Sequence, residues 1–123
     1  MSADASAGVR RLVLVVEDDP AIRSLVALTL EDEGYEVLAF EDAIEAFDAL
    51  VGLEVACVLL DIGLPAMSGH EFVANYLASC SDPAPVLFMS GWPAREFPPG
   101  VVGHIRKPFT IEELLRSVEE HSG

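Results

Sequence analysis

Five short apolar runs, four of them followed by a stretch patterned as a helix, constrain this chain more than any other feature. Leu12 to Val16 (LVLVV), Tyr35 to Phe40 (YEVLAF), Val55 to Leu60 (VACVLL), Pro85 to Met89 (PVLFM) and Val101 to Ile105 (VVGHI) are too short for helices. Runs such as LVLVV and VACVLL are apolar throughout and rich in β-branched residues. They want burial on both faces, which is how a strand inside a parallel sheet reads. The intervening stretches carry helix signals. Asp19 is placed to cap a helix with Pro20 as its first residue, running to about Glu33 and stopping at Gly34, with Ile22, Leu25, Val26 and Leu30 on one face. Asp42 with Glu45 caps a second, buried through Ala43, Ala46, Phe47 and Leu50. Ser68 with Glu71 forms a capping box for a third, buried through Val73, Tyr76, Leu77 and Cys80. Thr110 with Glu113 opens the last, with Ile111, Leu114, Leu115 and Val118 inward.

Strands alternating with amphipathic helices imply right-handed βαβ units and one parallel sheet covered on both faces. The expected class is therefore α/β. Five such strands commonly take the flavodoxin-like doubly wound order 2-1-3-4-5, which makes the first and third strands neighbours at the switch point. At 123 residues the chain is one domain, expected over residues 10–121, with residues 1–9 a loose, disordered tail that lacks the basic start and apolar core of a signal peptide. Between Ser90 and Lys107 the sequence reads GWPAREFPPGVVGHIR, and Pro93, Pro98, Pro99, Gly100 and Gly103 leave room for little more than one helical turn. The fourth helix, between the fourth and fifth strands, is expected to be shortened or missing.

Charge narrows the partners. Twenty-one acidic residues against seven basic give a formal net charge of −14. Such a surface repels nucleic-acid phosphates and anionic lipid and attracts cations, so neither DNA nor membrane is an expected partner. No apolar run approaches membrane-spanning length. The two cysteines, Cys57 within a strand and Cys80 at a helix end, show neither metal spacing nor a disulfide pattern, which suits a reducing cytoplasm.

The chemistry gathers at strand ends. The first strand ends in Glu17 and Asp18, the third in Asp61, the fourth in Ser90, and the fifth leads to Lys107 and Pro108. In the doubly wound order these meet at one crevice, on the rim where open α/β sheets bind ligands. Three crowded carboxylates repel one another, and a hard divalent cation such as Mg²⁺ relieves this. A lysine and a hydroxyl facing the same point are donors for phosphoryl oxygens. Each residue alone has an ordinary alternative role, as an acidic helix cap, a strand-end serine or a solvated lysine. Their coincidence at four strand ends points instead to phosphoryl transfer.

In the order VVEDDP, LLDIGLPAMSG, FMSG and RKPF, the chain resembles the receiver domain of two-component response regulators, the CheY-like superfamily, across Leu12 to Val118. The resemblance implies that Asp61 is the phosphoacceptor. The donor would be a phosphohistidine on a sensor histidine kinase or a histidine phosphotransfer protein, or a small phosphodonor. It implies Asp18, Asp61 and the backbone carbonyl of Gly63 as Mg²⁺ ligands, with Glu17 acting through a coordinated water and Mn²⁺ able to substitute. Asp19 falls one place beyond the acidic pair, which leaves it the capping role. Lys107 would contact the phosphoryl group, and its bond to Pro108 is expected to be cis. In such domains the serine hydroxyl is drawn to the phosphoryl group and an aromatic residue on the fifth strand follows inward. That position is His104 here, read either as a switch residue with weaker coupling or as a half-exposed strand histidine with no part in signalling.

The short connection between the fourth and fifth strands resembles that of receivers found with hybrid kinases or standing alone. Trp92 is expected either over the pocket mouth, slowing hydrolysis of the phosphoaspartate, or packing the irregular loop. With room for one helix after Lys107, the expectation is a non-enzymatic switch without an attached effector, signalling by contact with an unknown downstream protein. Two alternatives stand beside it. A Mg²⁺-dependent phosphohydrolase of the haloacid-dehalogenase type also uses an aspartyl nucleophile, but Gly63 occupies the place of its second Asp and there is no room for a cap domain. The other is an adaptor with a receiver fold that is never phosphorylated.

Overall fold

The computed structural model describes residues 11–64, 67–92 and 97–122, so the expected tail at residues 1–9 lies outside the described residues. The elements are β1 (Leu12–Val16), α1 (Pro20–Asp32), β2 (Glu36–Phe40), α2 (Ala43–Val51), β3 (Cys57–Asp61), α3 (Gly69–Ser79), β4 (Val86–Ser90), β5 (Val101–Arg106) and α4 (Ile111–His121). The strands form one sheet in the order β2-β1-β3-β4-β5, every pairing parallel. The expected doubly wound α/β fold is the one observed.

Side chains alternate along each strand and feed two separate cores. Leu14, Val16, Val58, Leu60, Val86 and Phe88 pack against α2 and α3 through Ala46, Leu50, Phe72 and Tyr76. Val13, Val15, Leu59, Leu87 and Met89 pack on the opposite face against α1 and α4 through Val26, Leu30, Leu114 and Val118. Strands buried on both faces explain why the sequence runs are apolar without alternation.

The helix caps form where the sequence placed them. Asp19 accepts from the amides of Ala21 and Ile22, and Asp42 from those of Ile44 and Glu45. Both capping boxes, Ser68–Glu71 and Thr110–Glu113, are closed in both directions. Gly34 ends α1 at φ +97°, a left-handed conformation that favours glycine.

The structure corrects several expectations. β3 begins at Cys57, not Val55, and extends through Asp61; β4 extends through Ser90 and β5 through Arg106. The ladders continue because parallel pairing uses backbone groups and is indifferent to side-chain polarity: the Ile62 amide donates to Met89 at 3.2 Å and the Lys107 amide to Ser90 at 2.7 Å. Leu25 is 45% exposed and Ile111 52%, so neither lies inward as expected. Successive helical residues differ by about 100° of rotation; with Val26 and Leu30 aimed at the sheet, Leu25 falls to the side. Ile111 instead lines the seam between α1 and α4 with Leu28, Thr29 and Leu115. Phe72, not singled out in the sequence, is fully buried and meets Phe47 edge to face at 5.7 Å.

Among the described residues no helix separates β4 from β5, although residues 93–96 lie outside them. β5 also carries an irregularity. Val86 pairs with Val101 but Leu87 with Gly103, leaving Val102 as an extra residue. The insertion flips every later residue to the opposite face. Val101 therefore joins the α2/α3 core and Ile105 the α1/α4 core, although their even spacing would put both on one side. Gly103 sits where a Cβ would come within 3.0 Å of Leu87 Cδ2, so the close approach suits glycine.

Candidate functional site

The switch between β1 and β3 brings the expected residues together at the carboxyl ends of the strands. Glu17 follows β1 directly and is fully buried. Its backbone is fixed on both sides, the amide donating to Phe40 and the carbonyl accepting from Arg23 Nη1, each at 2.9 Å. Its carboxylate is divided: Oε2 accepts from the Asp19 amide at 3.1 Å, and Oε1 lies 2.6 Å from Lys107 Nζ. Asp18 is exposed at the mouth. Asp61 closes β3 and is 7% exposed, with Oδ1 accepting from the Gly63 amide at 2.9 Å and Oδ2 3.4 Å from Lys107 Nζ. One ligand atom from each of Glu17, Asp18 and Asp61 lies within 4.8 Å of the others.

Lys107 enters from the far side of the crevice, immediately after β5, and its bond to Pro108 is cis as expected. Between them the three acids carry three negative charges against one ammonium. Burial works against the charge on Lys107, but the hydrogen bond to Glu17 and the fields of Asp61 and Glu17 outweigh it and raise its pKa. Glu17 is also shifted upward: burial dominates, with Asp61 adding to it, over the lowering effects of Lys107 and the Asp19 amide. An acidic site with this excess charge and one buried, paired glutamate fits a hard divalent cation.

Ser90 ends β4 beside this group and is 4% exposed. Its hydroxyl donates to the Trp92 carbonyl at 3.0 Å, accepts from the Trp92 amide at 3.3 Å, and lies 2.8 Å from His104 Nε2. His104 is placed on this face by the extra residue at Val102 and carries a lowered pKa, from burial first and then from Arg106. Phe97 stands near both His104 and Phe88, with ring centroids 6.4 and 6.3 Å apart. Trp92 is 72% exposed and holds Ser90 through its backbone, not its ring, while residues 93–96 of the loop it was expected to pack lie outside the described residues. Sequence reasoning did not find Arg23, the backbone of Trp92 or Phe97. Arg23 sits six residues beyond Glu17, and the other two act through contacts that no spacing rule encodes.

A parallel 2-1-3-4-5 sheet with an acidic crevice, a lysine and a hydroxyl at adjacent strand ends defines a receiver-type fold. The chain belongs to the response regulator receiver domain family, which it matches over residues 13–119. Among curated relatives it is 32% identical over 112 residues to the transcriptional regulatory protein FixJ of Bradyrhizobium diazoefficiens, covering 87% of this chain and 54% of that one. The chain thus spans about half the length of the curated relatives it matches. Among solved structures it is similar to the receiver domain of the hybrid histidine kinase CckA, with 30% identity, a TM-score of 0.78, and 91% of this chain and 99% of that chain covered. It is also similar to the chemotaxis protein CheY4 of Vibrio cholerae, with 29% identity, a TM-score of 0.73, and 91% and 98% covered.

Proposed function

We propose that residues 10–121 form a phosphoacceptor switch of a two-component system in which Asp61 takes a phosphoryl group from a phosphohistidine. The observation that carries this reading is the position of Lys107 Nζ, 2.6 Å from Glu17 and 3.4 Å from Asp61, facing three carboxylates that converge within 4.8 Å. An Asp61 oxygen attacks phosphorus, the phosphorus–nitrogen bond to the donor imidazole breaks, and its electron pair stays on the ring nitrogen. The Gly63 amide fixes the carboxylate for attack. Lys107 donates to a phosphoryl oxygen, and the Ser90 hydroxyl turns to donate to another.

Receiver domains of this family bind Mg²⁺ at an acidic pocket. Here Asp18, Asp61 and the Gly63 carbonyl would hold it, with Glu17 through a water, and Mn²⁺ would substitute. When bound, the ion offsets negative charge shared by the carboxylates and phosphoryl oxygens. The donor is a sensor histidine kinase or a histidine phosphotransfer protein. Output passes by contact with a downstream protein rather than by binding nucleic acid or membrane. No helix among the described residues is long and apolar enough to cross a membrane, and we place the domain in the cytoplasm. The domain is a switch that assists its own phosphorylation and dephosphorylation rather than a turnover enzyme. His104 is its switch residue.

Incubation with acetyl phosphate and Mg²⁺, followed by intact mass spectrometry, tests this. The expected result is a single phosphoryl adduct on the wild type, absent in Asp61→Asn and after chelation by EDTA. Continuous release of phosphate at a high rate would support the phosphohydrolase instead, and no adduct under any condition would support the adaptor.

A further inference from the structure

The geometry points to His104 as a positioning residue that donates a hydrogen bond from Nε2–H to Ser90 Oγ and so holds that hydroxyl ready for the phosphoryl group. This rests on the phosphoacceptor reading and deepens it.

Among the described residues Ser90 Oγ has three polar neighbours, and it has one proton. The Trp92 carbonyl, 3.0 Å away, can only accept, and the Trp92 amide, 3.3 Å away, can only donate. His104 Nε2, at 2.8 Å, is the one neighbour with a choice. If Nε2 carried a lone pair, the single serine proton would face two acceptors and leave one of them unpaired. With Nε2–H donating, every contact is satisfied: two donors to the oxygen and one proton to the Trp92 carbonyl. The lowered pKa of His104 favours the neutral ring, whose Nε2–H tautomer supplies this donor.

In the resting protein the serine proton is therefore directed at Trp92, and the oxygen is anchored by the imidazole. Redirecting the proton toward a phosphoryl oxygen breaks the bond to the Trp92 carbonyl but not the bond from His104. A hydroxyl that already accepts a hydrogen bond is the better donor, because such chains polarise one another. The register shift at Val102 is what brings His104 to the side of the sheet that carries Ser90. The Phe97 ring stands beside that of His104, with centroids 6.4 Å apart.

The test is the affinity of Mg²⁺–beryllofluoride, a mimic of the phosphoryl group on Asp61, measured by calorimetry and by Trp92 fluorescence. His104→Phe keeps a ring but removes the donor and should weaken binding about fivefold, the size of one hydrogen bond. His104→Gln, whose amide can donate, should recover most of that loss. In a Ser90→Ala background His104→Phe should cost nothing further, because the interaction it removes is already gone. Nitrogen-15 spectra of the unmodified protein should show a protonated Nε2 both with and without beryllofluoride. An equal loss in the Ser90→Ala background, full affinity in His104→Phe, or an unprotonated Nε2 in a protein that binds beryllofluoride would each overturn the role of His104 alone. A wild type that binds no beryllofluoride would remove the phosphoacceptor reading itself, and this role with it.

Discussion

Lys107 stands between two acids and is closer to Glu17, at 2.6 Å, than to Asp61, at 3.4 Å. That choice follows from burial. Glu17 is wholly enclosed and needs a counter-charge more than Asp61, which has the Gly63 amide. The enclosure has a consequence for stability. Burial first, and Asp61 with it, raises the Glu17 carboxyl above its ordinary 4.5 despite Lys107 and the Asp19 amide. A carboxyl raised in the folded state contributes stability that is complete below its unfolded value and lost as pH rises through its folded value. Glu17→Gln has no such proton to lose. In metal-free buffer its stability relative to wild type should therefore improve as pH is raised from 4.5 toward neutrality. Urea unfolding across a pH series reads this directly, and a constant gap between the two proteins would contradict it. At this scale the sequence named Glu17, Asp18, Asp61, Ser90 and Lys107 because acidic, hydroxyl and amine groups interrupt apolar runs at strand ends. It could not show which acid the lysine prefers, because that depends on enclosure.

Among the elements, helix starts were the most legible features, since a cap is a local transaction between a side chain and amides two or three residues on. Thr110→Ala should lower unfolding free energy by about 1 kcal/mol, seen as a lower urea midpoint with unchanged slope. Helix faces were less legible. Leu25 and Leu30 both fit a single apolar stripe on paper, yet Leu30 is fully buried and Leu25 is 45% exposed. Leu30→Ala should cost about 2–5 kcal/mol, whereas Leu25→Ala should stay within about 0.5 kcal/mol. A pair of denaturant curves decides it, and equal losses would return Leu25 to the core. Strand ends were misjudged by one or two residues for a different reason. Apolar runs report side-chain burial, while ladders are drawn by backbone pairing, which carried β3, β4 and β5 onto Asp61, Ser90 and Arg106.

For the molecule as a whole, a net charge of −14 concentrated partly in one crevice makes cations stabilising ligands. Mg²⁺ at ten times its dissociation constant should raise unfolding free energy by about 1.4 kcal/mol. Asp18→Asn should abolish most of that gain, which thermal or urea unfolding with and without the ion would register. A similar gain from an equal ionic strength of NaCl would show simple screening instead of a site. The sequence by itself determined the alternating α/β architecture, the parallel sheet and the residues that converge at its carboxyl edge. Those depend on burial patterns and caps that repeat along the chain and read locally. Only the tertiary structure decided that His104 meets Ser90. One extra residue at Val102, forced by how β5 pairs with β4, turns the strand over, and register is a property of two strands that neither sequence segment carries alone.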